Sequence, residues 1–163
     1  MTADDRPVVV AFDGSPEATE AVRAAAKLFR DRLLVVVTVW EPALAIAATM
    51  MPISEVGGAS YMPPAPEEVE AVDKAQLEHA QAAADAGARI ATEAGATAEA
   101  LPVPDSTDVA HTILATVEQR DAAALVVGSR GMGRVKSAFV GSTSNRLLHE
   151  TRRPVLVVRA PDG

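Results

Sequence analysis

Short runs of apolar residues alternate along this chain with longer stretches in which apolar positions recur at helical spacing. Val8 to Phe12 is the first run, with Pro7 before it and Asp13-Gly14 after it, and it reads as a buried strand. Ser15-Pro16-Glu17 then marks a helix start, with an N-cap hydroxyl, a proline at the first helical position and an acid in the first turn. The helix runs to about Phe29 and places Ala21, Val22, Ala25, Leu28 and Phe29 on one face. Leu33 to Val39 is nearly continuous and rich in β-branched residues, as expected of an interior parallel strand covered on both sides. The chain thus opens β-α-β, a unit whose crossover is right-handed.

The segment from Glu41 to Pro66 interrupts this order. It holds Pro42, Pro52, Pro63, Pro64 and Pro66, the pair Gly57-Gly58, and three methionines. A stretch this long without periodicity is either a lid or contact patch, or a tolerated insertion. Glu67 to about Ala94 reads as a long helix with Val69, Val72, Leu77, Ala80, Ala84, Ala88 and Ala91 near one face. Thr97 to Val103 is a short strand, and Asp105-Ser106-Thr107-Asp108 caps a helix reaching about Arg120. The strand Ala122 to Val127, the helix Thr143 to Thr151 and the strand Pro154 to Arg159 complete the pattern. The result is one α/β domain over residues 1–163, with five parallel strands and helices on both faces, in three layers. With a strand order of 3-2-1-4-5, strands one and four flank the point where the order reverses. Ligands in such sheets sit there, beyond the carboxyl ends.

The richest chemistry lies between the fourth strand and the last helix. Gly128-Ser-Arg-Gly131, nine further residues and then Gly141-Ser142 gives the spacing G-x2-G-x9-G-[S/T]. Glycines let backbone N–H groups approach an anion closely, and Ser142, Thr143 and Ser144 add hydroxyls and amides at a helix N-terminus. Two other phosphate loops fail on inspection. A Walker loop needs Lys and Ser/Thr where Arg134 and Val135 stand. A dinucleotide fingerprint beginning at Gly131-Met-Gly133 has Lys136 in place of its third glycine.

Composition narrows the function further. There is no cysteine, so disulfides and thiolate chemistry are absent. The short acidic N-terminus shows no leader, and no apolar run reaches the roughly 18 residues of a spanning helix. A soluble, cytoplasmic protein without a membrane partner is the expectation. A net charge of −7 argues against a nucleic-acid partner. The charge is unevenly placed. From Gly128 to Arg159 there are seven basic residues and one acid, Glu150, so this segment carries +6 and the rest −13. Arg130 and Arg134 lie inside the glycine loop and suit phosphate contact or loop ordering. Arg152 and Arg153 suit either a ligand or the helix dipole.

The glycine spacing, following a buried strand and opening a helix, resembles the ATP-binding subgroup of the universal stress protein family, and the likeness extends over nearly the whole chain. The resemblance implies a Rossmann-like, adenine nucleotide alpha hydrolase-like fold. It implies that Asp13 hydrogen-bonds the adenine-ribose end of ATP, with Ala11 near the base and Val39 packed on adenine. It places Val127 and Gly128 with Gly131 near ribose and phosphate, and Gly133 within the same loop. Gly141, Ser142, Thr143 and Ser144 then cradle the triphosphate. Gly14 approaches the ligand, and Asp13 is the candidate contact for magnesium. Taken from its residue type alone, Asp13 is equally a turn acid before Gly14. A homodimer through the edge strand Val155 to Val158 is also implied.

Other chemistry is missing from the sequence. His79, His111 and His149 fall on three separate predicted helices without metal-ligand spacing. There is no G-x-S-x-G elbow and no kinase element. Trp40, the single tryptophan, is a strand-end aromatic or a base-stacking residue. The favoured reading is a module that binds ATP, with magnesium, and regulates through it, hydrolysing it slowly at most. The competing readings are a slow ATPase or phosphotransfer enzyme, with Ser137, Ser142 or Thr143 as candidates for self-modification, and a nucleotide-independent interaction protein.

Overall fold

The computed structural model of the protein describes residues 5–43, 65–129 and 142–160. Its elements are β1 (Val8–Ala11), α1 (Pro16–Leu28), β2 (Leu33–Trp40), α2 (Pro66–Glu93), β3 (Thr97–Pro104), α3 (Val109–Gln119), β4 (Ala124–Gly128), α4 (Ser142–Glu150) and β5 (Val155–Val158). All the strands are parallel, in the order β3-β2-β1-β4-β5. This is the expected three-layer sheet, with the order reversing between β1 and β4. Most of the proline-rich stretch, residues 44–64, lies outside the described residues. No described helix is long and apolar enough to cross a membrane.

Strand alternation sends successive side chains to opposite layers. Val8, Val10, Leu34, Val36 and Val126 pack with the small residues of α1 and with Ala91 of α2. Val9, Val35, Val37, Leu125 and Val127 pack with Ala110, Ile113 and Val117 of α3 and Leu147 of α4. β3 is an edge strand, and this is why it tolerates Pro102 and Pro104, which lack an N–H for a ladder.

Ser15 caps α1 as its position suggests, its hydroxyl accepting from the Ala18 N–H at 3.1 Å. The buried stripe of α1 is Ala18, Ala21, Val22, Ala25 and Ala26. Leu28, expected on that face, is instead 64% exposed, because it falls at the margin of the stripe in the last turn. α2 shows a similar departure. Its buried positions begin only at Ala80, while Val72 and Leu77 are each 42% exposed. Among the described residues, the first turns of this helix contribute nothing to the two core clusters, so apolar periodicity there does not translate into burial. The fourth strand starts at Ala124 rather than Ala122. The intervening residues close the turn from α3, with Ala122 N–H donating to Val117 and Ala123 N–H to Pro7.

Gly87 sets the distance between α2 and the sheet. A Cβ there would lie 2.7 Å from Val36 Cγ1 and 3.0 Å from Phe12 Cδ1, both on buried, stiff side chains. Alanine is favoured over glycine in a helix by about 1 kcal/mol, yet overpacking a filled core costs about 1–3 kcal/mol. Gly87→Ala is therefore expected to lower unfolding free energy by about 1 kcal/mol in urea titrations. A stabilised variant would show that α2 sits less tightly on the sheet.

Candidate functional site

The carboxyl ends of β1 and β4 are built differently, and the difference shapes the crevice between them. After β1 the Phe12 N–H donates to the Val37 carbonyl at 2.8 Å, and the buried Thr38 hydroxyl donates to the Phe12 carbonyl at 2.9 Å. These two bonds hold the exit of β1 rigidly against β2. The chain then turns through Gly14, whose φ of +80° is a conformation that glycine adopts at low cost. Asp13 Oδ1 accepts from the Ser15 N–H at 3.0 Å, and Asp13 is exposed just beyond the carboxyl end of β1. Asp13 is thus the turn acid that its residue type suggests, and also the carboxylate presented where the strand order reverses. Among the described residues, no atom beyond its chain neighbours lies within 4 Å of a Cβ built on Gly14, so its need for glycine is conformational.

Gly128 ends β4 and has a structural task of its own. A Cβ there would lie 2.9 Å from the backbone carbon of Glu17 and 3.0 Å from the Ala18 nitrogen. The first turn of α1 rests directly on this glycine. On the other side, the buried Ser144 hydroxyl donates to the Gly128 carbonyl at 2.8 Å and draws the first turn of α4 against β4. The next residue, Ser129, donates its N–H to Val158 at 2.7 Å and is buried.

Of the residues selected from sequence, the structure places Ala11, Val39 and Val127 on one face, in the layer of α3 and α4. Ala11 and Val39 are half-buried and Val127 is fully covered. Ser142 is exposed and Thr143 half-buried, at the start of α4. Arg130, Gly131, Gly133, Arg134 and Gly141 lie outside the described residues, as does Ser137. Trp40 has the strand parity of Leu34 and Val36, which places it on the α1/α2 face, away from Ala11 and Val39. Ser129 was not selected, although its place between Gly128 and the loop was visible in the sequence.

The cations of the segment divide by use. Arg146 lies 2.7 Å from Asp108 and 2.7 Å from Glu150. Arg153 reaches Asp121 at 2.7 Å and Glu118 at 3.5 Å. Both are tied to carboxylates, so part of the positive excess read from sequence is neutralised within the described residues. Asp108 caps α3 by accepting from the His111 N–H at 3.0 Å. That bond first, and the Arg146 guanidinium second, hold its carboxyl below the usual range. Glu150 and Asp108 in turn raise the pKa of Arg146. His79, His111 and His149 are exposed on α2, α3 and α4. No group of three or more His, Cys, Asp or Glu among the described residues is placed to hold a metal ion.

With this geometry in view, comparison with known proteins is informative. A family model described as the Universal stress protein family matches residues 6–159. Universal stress protein UspA from Lactobacillus plantarum superposes with a TM-score of 0.70 at 18% identity, covering 97% of this chain and 100% of that one. The universal stress protein from Archaeoglobus fulgidus in complex with dAMP gives 0.61 at 19% identity, covering 94% and 97%. A universal stress protein family protein from Arabidopsis thaliana with AMP bound gives 0.59 at 16% identity, covering 96% and 92%. At these identities the structural likeness speaks for the fold. A search of curated proteins finds no match.

The Asp108 ion pair has a pH signature. A carboxyl whose pKa falls on folding contributes stability above its unfolded value, here 3.8, and loses it as pH drops through the lower folded value. Asp108→Asn keeps an acceptor for the cap and removes the charge. Its stability deficit relative to wild type, measured by thermal melts, is expected near neutral pH and closes as pH falls below 3.8. A deficit independent of pH would show that the charge contributes nothing.

Proposed function

The chain belongs to the universal stress protein family, and from that premise we propose that it is a nucleotide-holding regulatory module which binds ATP, with magnesium, in the crevice between β1 and β4. The observation that carries the reading is the convergence of Asp13, at the exit of β1, and the first turn of α4, pinned to Gly128, on the point where the strand order reverses. Adenine nucleotides in two structural neighbours support it.

In this reading Asp13 accepts from the ribose hydroxyls, and Ala11, Val39 and Val127 form the apolar surface beneath the base. Gly14 and Gly128 lie beside the ligand. Ser142 and Thr143 present amides and hydroxyls, and Ser144 its amide, to the phosphates at a helix N-terminus, whose dipole favours anions. Gly131, Gly133 and Gly141, with Arg130 and Arg134, complete the phosphate cradle. Magnesium takes most of its shell from phosphate and water, so Asp13 as a single protein carboxylate suits it. Holding ATP is favoured over rapid turnover, since phosphoryl transfer needs a positioned base or water-orienting group, and the sequence reading offers Asp13 alone as a candidate acid. Regulation then follows if ATP binds two conformations with different affinity.

Calorimetric titration tests the site. Asp13→Ala is expected to weaken ATP and AMP binding by about tenfold, the effect of losing a hydrogen bond to a charged group. Unchanged affinity would remove Asp13 from the site. ADP release well beyond one per chain would turn the reading toward a slow ATPase.

We propose further that the protein is a cytoplasmic homodimer joined through β5. Among the described strands β5 pairs only with β4, and its valines and leucine are half-buried, so that among the described residues its outer edge is an apolar one suited to a second chain. Light scattering is expected to return twice the mass of one chain. A value of 16.9 kDa would contradict the dimer.

A further inference from the structure

We infer that Ser129 is a phosphate-contacting residue of this crevice, an inference that rests on the nucleotide reading above and refines it. The starting point is how buried hydroxyls are used in the described residues. Ser15 accepts from Ala18, Thr38 donates to Phe12, Thr112 donates to Asp105, Thr116 donates to Thr112, and Ser144 donates to Gly128. Ser129 is equally buried, at 4% exposed, and its Oγ has no hydrogen-bond partner. Among the described buried hydroxyls it is the exception.

A buried polar group without a partner is unfavourable, and native interiors rarely leave one unmet. An alanine side chain fits the same space without that penalty. The hydroxyl therefore has a use only when something reaches it. Its location says what. The bond from the Ser129 N–H to Val158 fixes the backbone, and Ser129 follows Val127 by two residues, giving it the parity of the α3/α4 layer. The Ser144–Gly128 bond brings the first turn of α4 alongside. This helix presents N–H groups without intrahelical acceptors, which favour an anion. A hydroxyl beside them donates one hydrogen bond, and a phosphate oxygen is an acceptor only. Trp40 Nε1 also lacks a partner, but it belongs to the opposite face of the sheet.

The test compares AMP with adenosine on wild type and Ser129→Ala, beside the melting temperature of each without ligand. The expected result is an AMP dissociation constant weakened about fivefold to tenfold, the range of one lost hydrogen bond. Adenosine affinity stays unchanged, and the unliganded melting temperature is equal or higher. Ser144→Ala, which breaks a bond within the protein, lowers that temperature and serves as the contrast. Unaltered AMP binding, equal losses for AMP and adenosine, or a lower melting temperature for Ser129→Ala would each overturn the assignment. Wild type that binds neither ligand would overturn the nucleotide reading itself, and this inference with it.

Discussion

Everything near the crevice depends on the close contact at Gly128. Three elements meet at this residue: β4 ends there, the first turn of α1 rests on its Cα, and the first turn of α4 is tied to its carbonyl. Any side chain would push α1 away from the sheet, and α1 carries much of the core on its face through small residues such as Ala21 and Ala25. Glycine in such a loop is usually explained by a ligand. Here the fold needs it whether or not a ligand is present, and a variant at Gly128 would mix loss of packing with loss of binding. Asp13 and Ser129 are cleaner probes, because each can be changed with little disturbance of the core.

The junction also decides where charge accumulates. α4 is held with its first turn at the end of β4, while Arg146 further along the helix is turned toward Asp108 and Glu150. Arg153 is drawn toward Asp121 and Glu118. Among the described residues, Arg146 and Arg153 are thus engaged by carboxylates, and the first turn of α4 is set at the carboxyl end of β4.

Much of the architecture was legible in the sequence because its signals are local. Ser15-Pro16 marked a helix start that the structure caps as expected, and the β-branched run from Leu33 was an interior strand. What stayed hidden depends on distant neighbours. Leu28, Val72 and Leu77 follow the helical pattern yet remain exposed, because periodicity does not tell how far the sheet extends beneath a helix. The tight approach of Gly87 to Val36 and Phe12 joins residues far apart in the chain. Arg153 suited either a ligand or the helix dipole until its carboxylate partners, Asp121 and Glu118, were in place. Asp13 supported two readings, turn and ligand, and its geometry is compatible with both at once.

The central claim is that the switch point between β1 and β4 is the nucleotide site. Backbone amide chemical shifts followed during titration with AMP test it most directly, since they report position without requiring any variant. The account predicts that the largest changes fall at Asp13 to Ser15, at Gly128 and Ser129, and across Ser142 to Ser144. Changes concentrated at the amino ends of the strands, around Arg120 and Glu99, or on the exposed first turns of α2, would contradict it.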